Sequence, residues 1–121
     1  GRPTILYHYP ASQAALARTT TDAAGRQVAE RFELYIDGVE LANGYHELLD
    51  ADELRQRNEY NNALRAADGR PTLPSDSRLL AAMEHGLPAC TGAALGFDRL
   101  VMVACGSRNI EEVFPFPIAI A

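Results

Sequence analysis

The stretch RFELYIDGVELA, residues 31–42, decides the fold, because it repeats with a period of two on both sides of a turn. Asp37-Gly38 offers the two positive-φ positions of a type I′ turn. Apolar residues occupy every second position around it: Phe32, Leu34, Ile36, Val39 and Leu41. Alternation of this kind on both sides of an Asp-Gly turn predicts a β-hairpin with one apolar face.

The opposite face of this hairpin carries carboxylates. With Asp37 and Gly38 in the loop, Tyr35 faces Glu40 and Glu33 faces Ala42, while Ile36 pairs with Val39 and Leu34 with Leu41. Glu33 and Glu40 become diagonal neighbours, with Cα atoms about 7 to 8 Å apart. Both side chains could then reach one hard divalent cation. A solvated face with two unrelated acids is the alternative that this spacing leaves open.

The residues after Leu41 require a break in the alternation. An unbroken ladder would put Asn43, Tyr45 and Glu47 on the apolar face, where a lone carboxylate costs several kcal/mol or takes up a proton. We therefore expect a β-bulge at Asn43-Gly44, since both residue types tolerate positive φ. The bulge would turn all three side chains toward the carboxylates. Together they would form a cleft floor suited to a cationic ligand and to a second ligand that is bound to a metal ion.

The remaining segments predict further strands and helices. Residues 4–9 are typical of a buried strand closed by Pro10, and residues 19–25 of a mobile polar loop. Helices are expected from Asp50, with Glu53 completing a capping motif, to residues 68–69, and from residues 75–77 to Gly86.

The C-terminal part predicts one more strand and one more helix. Residues 90–96 are a strand of small residues, Asp98 caps a helix to about residue 104, and residues 113–118 form a closing segment interrupted by proline. The elements together predict an α+β fold: an antiparallel sheet of residues 4–9, the hairpin and the 90–96 strand, with flanking helices.

Composition limits the classes of protein. The 121 residues are 47% apolar with a formal net charge of −5, which is typical of one globular domain without a basic surface for nucleic acid. Apolar runs are too short for a membrane span. Cys90 and Cys105 match neither a redox pair nor a zinc motif, so a reducing, cytoplasmic location is expected.

Four segments together resemble the class II lysyl-tRNA synthetase family: residues 3–13, 31–33, 40–48 and 92–100. They are most similar to its shortened members, which attach β-lysine to elongation factor P. The resemblance implies that residues 1–121 are the C-terminal part of a class II aminoacyl-tRNA synthetase catalytic fold, with motif 3 at about 90–105. A longer parent is expected, because the sequence begins at Gly1 without Met and nothing in it matches motif 1 or the motif 2 arginine.

The resemblance also implies roles for the charged residues. Glu33 and Glu40 match the acids that hold Mg²⁺ on the phosphates of ATP. Arg99 matches the motif 3 arginine, a catalytic and ATP-binding residue that packs on the adenine and reaches toward the γ-phosphate. An arginine suits that position because its guanidinium can stack and donate hydrogen bonds at once.

Other matched positions imply an amino-acid pocket. Asn43, Tyr45 and Glu47 match residues that line it, and Glu47 matches the acid that pairs with the side-chain ammonium of lysine. Ala94 stands where the tRNA synthetases of the family have glycine. Its methyl group at the pocket floor would disfavour α-lysine and favours the elongation factor ligase.

The function implied is ATP-dependent activation of lysine or β-lysine as an adenylate, for transfer to elongation factor P. A lysyl-tRNA synthetase fragment that charges tRNA and a non-catalytic paralogue that serves as a binding module are the alternatives. The parent is expected to be a homodimer in the cytoplasm, with no membrane association, and the 121 residues alone are expected to be inactive.

Overall fold

A computed structural model describes residues 1–116. Within these residues there are five strands: β1 (Thr4–Pro10), β2 (Thr19–Thr21), β3 (Gln27–Ile36), β4 (Val39–His46) and β5 (Thr91–Leu95). The same part of the chain contains three α-helices: α1 (Ala51–Ala67), α2 (Arg78–His85) and α3 (Phe97–Ala104). Short 3-10 turns occupy Ala11–Gln13 and Ile110–Glu112. The described residues form two compact units, one of Gly1–His46 with residues 91–116, and one of Glu47–Cys90.

The first unit is built on an antiparallel sheet in the order β1-β3-β4-β5, with β2 also pairing with β3. Helix α3 follows β5 after the single residue Gly96 and packs against β4. This arrangement confirms the predicted α+β class and the three predicted sheet components. The predicted burial of residues 4–9 is wrong, because β1 is an edge strand and most of its residues are exposed. Of the segment predicted at 113–118, residues 113–116 contain no strand, and the rest lies outside the described residues.

The hairpin turn is confirmed. Asp37 and Gly38 have φ angles of 52° and 81°, as a type I′ turn requires. Tyr35 pairs with Glu40 and Ile36 with Val39, as predicted.

The β-bulge is present, but its predicted position at Asn43-Gly44 is wrong. Leu34 pairs with Ala42 rather than with Leu41, so Leu41 is the extra residue of β4. Its side chain is buried, and its carbonyl oxygen accepts a hydrogen bond from the backbone N–H of Gly96 at 2.8 Å. The bulge leaves this carbonyl outside the β3–β4 ladder, but Gly96 supplies a hydrogen bond to it, and the apolar side chain is buried. Both contacts stabilise the bulge at Leu41.

Gly44 serves a different purpose from the positive φ that was expected. The residues with positive φ do not include it. A Cβ atom built on Gly44 would lie 2.4 Å from a ring carbon of Phe32 and 2.8 Å from the carbonyl oxygen of Gly92. Glycine is required because β4 passes a phenyl ring and a neighbouring strand without room for a side chain.

Two further predictions are corrected. Thr19–Thr21 is not loop but a short strand paired with Gln27–Ala29, and only the following turn is irregular. There the Oδ1 atom of Asp22 accepts hydrogen bonds from two backbone N–H groups. Helix α3 is preceded by Gly96 rather than capped by Asp98, which lies in the first helical turn.

The second unit is a pair of helices with a small core. Asp50 caps α1 by accepting hydrogen bonds from the N–H groups of residues 52 and 53, and the Oγ atom of Ser77 caps α2, as the sequence predicts. The core consists of Leu48, Leu54, Leu80 and Met83, with Ala51 packed against it. No helix within residues 1–116 has the length and apolar character needed to cross a membrane.

Candidate active site

One face of the sheet gathers most of the residues singled out in the sequence. Partners paired across adjacent strands share a face. Glu33 pairs with Asn43 and Asn43 with Ala94, which makes one row across β3, β4 and β5. Arg31, Tyr45 and Gly92 form the next row. The bulge at Leu41 thus achieves the predicted facing of Asn43 and Tyr45.

Glu33 is the most deeply held charge on this face, with 5% of its surface exposed. Its Oε2 atom accepts hydrogen bonds from the hydroxyl groups of Tyr9, at 2.7 Å, and of Tyr35. Its Oε1 atom pairs with Nη2 of Arg31. Three donors from two strands therefore fix the carboxylate in place.

These contacts change the acidity of the groups involved. Burial opposes ionisation of Glu33, but the hydrogen bonds from Tyr35 and Tyr9 and the charge of Arg31 outweigh it, so the pKa of this carboxyl lies below its ordinary range. Burial and the hydrogen bond to Glu33 raise the pKa of Tyr9 far above its ordinary value. The hydrogen bond to Glu33 also raises the pKa of Tyr35. Glu33 is therefore an ionised carboxylate, and the two phenol groups beside it are neutral.

A second cluster joins Glu40, Asn43 and Arg99. The Nδ2 group of Asn43 donates to Oε1 of Glu40 at 3.1 Å. Nη1 of Arg99 donates to the backbone carbonyl of Glu40 at 3.0 Å and lies 3.6 Å from its Oε2 atom. A Cβ atom on Gly96 would lie 3.2 Å from Cδ of Arg99, so the glycine leaves room for this arginine to fold back toward β4. The structure thus brings together the predicted motif 3 arginine and one predicted magnesium ligand.

The acids suit a magnesium ion that is held jointly with phosphate oxygens. Within residues 1–116, no group of three or more His, Cys, Asp or Glu side chains is placed to hold a metal by itself. Mg²⁺ is commonly bound by one or two carboxylates together with substrate phosphates and water. Glu40 offers a partly exposed carboxylate, with 31% of its side chain exposed, while Glu33 is ionised and has about one of its four acceptor positions left. The donor set fits such an ion in charge and in chemical hardness.

Glu47 belongs to the second compact unit, of which it is the first residue. It directly follows β4, is half-buried, and its backbone N–H donates to the carbonyl oxygen of Cys90 at 3.1 Å. Its proposed part in the amino-acid pocket depends on the resemblance rather than on a contact.

The sequence did not indicate the roles of Tyr9, Tyr35 and Arg31. Alternation places Arg31 and Tyr35 on the same face as Glu33, and that was the available signal. Tyr9 comes from β1, whose register against β3 shifts between Tyr7 and Tyr9, where His8 has a φ of 56°. No local pattern predicts a shift produced by pairing between distant segments.

Comparisons with known proteins agree with this geometry. The family model described as tRNA synthetases class II (D, K and N) matches residues 1–119. The chain is 55% identical over 117 residues to proteins named elongation factor P–(R)-β-lysine ligase from Edwardsiella ictaluri and from Klebsiella pneumoniae. In each case the match covers 97% of this chain.

The same matches cover 35% of the relatives, so the chain spans about a third of their length. The resemblance seen in the sequence is confirmed by the family match and by the names of these relatives. The structure is consistent with the family match and with the resemblance. Its antiparallel sheet carries the acids and the asparagine, and the helix that follows β5 carries the arginine. The chain belongs to the class II tRNA synthetases of the D, K and N group.

Proposed function

We propose that this chain is the C-terminal part of an ATP-dependent ligase that activates a lysine-type amino acid and transfers it to elongation factor P. The observation that carries the proposal is the 55% identity, over nearly the whole chain, to proteins named for that reaction. The site face supports it, since it combines carboxylates, an amide and an arginine around small residues of β5.

The reaction requires charge control around a phosphate. A carboxylate oxygen of the amino acid attacks the α-phosphorus of ATP, the new P–O bond forms an adenylate, and pyrophosphate leaves. Mg²⁺, when bound, would offset the negative charge of the phosphates. Glu40 and Glu33 are the residues that would hold it, and Arg99 would stack on the adenine and donate toward the γ-phosphate.

The amino acid would lie beside Asn43 and Tyr45, with Glu47 paired to its side-chain ammonium. Ala94, next to Asn43 in the sheet, would restrict the pocket floor. A methyl group at this position favours (R)-β-lysine over α-lysine. We also propose that the complete protein is a cytoplasmic homodimer.

Two alternative functions lead to different expectations. A lysyl-tRNA synthetase would prefer α-lysine and charge tRNA, whereas a non-catalytic binding module would form no adenylate. The identity to the elongation factor ligases favours the ligase over both, and the alanine at position 94 favours it over the synthetase.

The test is amino-acid-dependent exchange of pyrophosphate into ATP by the full-length gene product. We expect exchange with (R)-β-lysine, weaker exchange with α-lysine, and transfer to elongation factor P but not to tRNA. Glu40→Gln should reduce exchange by about 10²-fold or more, since it removes a metal-binding charge. Glu59→Gln, on an exposed part of α1, is the matched control. Exchange that prefers α-lysine, with tRNA as acceptor, would favour the synthetase instead.

A further inference from the structure

We propose that Arg31 is a positioning residue that holds Tyr45 of the amino-acid pocket and Glu33 of the magnesium site in one fixed arrangement. This inference rests on the proposed function, which assigns those sites. The resemblance assigns no role to Arg31.

The guanidinium of Arg31 lies against two aromatic rings. Its central carbon is 4.6 Å from the ring centroid of Tyr9 and 5.8 Å from that of Tyr45. Both distances are within the range of a cation–π interaction. Tyr9 and Tyr45 also pack against the buried cluster Ala14, Ala17 and Ala29. The ring of Tyr45 is therefore held between a small-residue core and a cation.

The same guanidinium is anchored at both of its terminal nitrogens. Nη1 donates to the carbonyl oxygen of Gln13 at 2.8 Å, and Nη2 pairs with Glu33. Only 19% of the Arg31 side chain is exposed, so these contacts are largely shielded from water. A planar group that stacks on rings and donates along two directions can meet all these demands, whereas a lysine ammonium cannot.

One N–H group of Arg31 makes none of these contacts. Its Nε atom is buried without a hydrogen-bond partner among the described residues 1–116. A buried, unpaired N–H group costs free energy. The unpaired N–H group of Arg31 occurs together with its contacts to Tyr45 and Glu33. This combination fits a role in arranging these two groups.

The experiment compares amino-acid binding and magnesium dependence in the full-length protein. Arg31→Lys keeps a positive charge near Glu33 but loses the planar stacking. Calorimetric titration with (R)-β-lysine in the absence of ATP should show binding about 3- to 30-fold weaker than in the wild type. The Mg²⁺ concentration for half-maximal pyrophosphate exchange should stay close to the wild-type value. Arg31→Met should weaken amino-acid binding and also shift that Mg²⁺ concentration.

A double variant tests whether Arg31 acts through the ring. In a Tyr45→Leu background, Arg31→Lys should add little further loss of binding, since the ring that it orients is gone. Arg26→Lys is the control, because Arg26 is an exposed arginine paired with Asp22 just before β3. Circular dichroism melting verifies folding, and Arg31→Lys decides the matter if Arg31→Met does not fold.

The outcomes separate this inference from the proposed function. A wild-type protein that binds no lysine-type amino acid overturns the proposed function, and the role of Arg31 with it. A wild-type protein that binds (R)-β-lysine, with Arg31→Lys binding it equally well, overturns the role of Arg31 alone. Losses that simply add in the double variant also overturn it.

Discussion

Glu33 shows how a buried charge is kept ionised on a sheet face. The sequence indicates that this acid shares a face with Tyr35, and it predicts a role beside a metal. It does not indicate the burial of the carboxylate or the donor from Tyr9, because both depend on where β1 lies against β3. Residue type and facing were predictable here, whereas the partners from distant segments were not.

Removing the Tyr9 hydroxyl should weaken the folded state in a way that depends on pH. The pKa of Glu33 in the folded chain lies below its ordinary value of 4.5. The ionised group therefore stabilises the fold at neutral pH, and this contribution is lost as the pH falls through the folded-state pKa. We expect Tyr9→Phe to lose about 1 to 3 kcal/mol at pH 7, and less in acid.

Urea unfolding at neutral and acidic pH measures this difference. Tyr60→Phe, on a tyrosine with 67% of its surface exposed, is the control and should change little at either pH. A loss for Tyr9→Phe that is the same at both pH values would contradict the link to Glu33.

At the scale of elements, the β3–β4 hairpin was predicted from its alternation and its Asp-Gly turn, and the need for a bulge was predicted from the polar residues after Leu41. The position of the bulge could not be predicted. Asn43-Gly44 had the residue types that tolerate positive φ, but Leu41 has a burial site and a hydrogen-bond partner in Gly96, which is distant in sequence. Long-range contacts decided between two locally acceptable sites.

Gly44 should tolerate no side chain, because its neighbours on both sides are fixed. A Cβ atom would meet the Phe32 ring at 2.4 Å and the Gly92 carbonyl at 2.8 Å. We expect Gly44→Ala to destabilise the protein by about 1 to 3 kcal/mol, measured by denaturant unfolding. Phe32→Leu should recover only part of this loss, since the carbonyl contact remains.

Gly96→Ala is the matched comparison. Its Cβ atom would meet only the flexible side chain of Arg99, at 3.2 Å, and its φ of −76° suits alanine. Equal losses for the two variants would show that backbone flexibility rather than close contact explains Gly44.

At the scale of the whole molecule, the family was recognisable from segments spread along the sequence, whereas the division into two compact units was not predicted. We expect the isolated 121 residues to catalyse no pyrophosphate exchange with lysine or (R)-β-lysine, because no segment matches the motif 2 arginine. Without that donor, the charge at the α-phosphate would lack a principal partner, a loss of orders of magnitude in rate. Exchange by the purified 121-residue chain, assayed beside the full-length protein, would contradict this expectation.

The isolated chain should also self-associate. Strand β1 is an edge strand, and its side chains Ile5, Leu6 and Tyr7 are 59%, 48% and 68% exposed. Exposed apolar edges pair with other chains. Light scattering over a range of concentrations should show oligomers, and Ile5→Lys should reduce them.

Leu73→Lys serves as the control, since Leu73 is 58% exposed but lies outside the sheet. A monodisperse monomer at all concentrations, or equal effects of the two lysine variants, would argue against association through β1.

The extra residue in β4 makes the site sensitive to the number of residues in this strand. Because Leu41 is an extra residue, the strand from Ala42 to His46 faces the opposite way from a regular ladder of the same length, and Asn43 lies opposite Glu33. One further residue inserted after Ala42 would invert the segment that follows. Inserting one alanine between Ala42 and Asn43 should therefore abolish (R)-β-lysine binding in calorimetry, although every proposed site residue is still present. Inserting one alanine after Thr72, in the exposed segment that follows α1, should not. For this protein, a one-residue insertion in β4 after the bulge would be more damaging than many substitutions there, and sequences that are one residue longer at this point should not be expected to share its ligand.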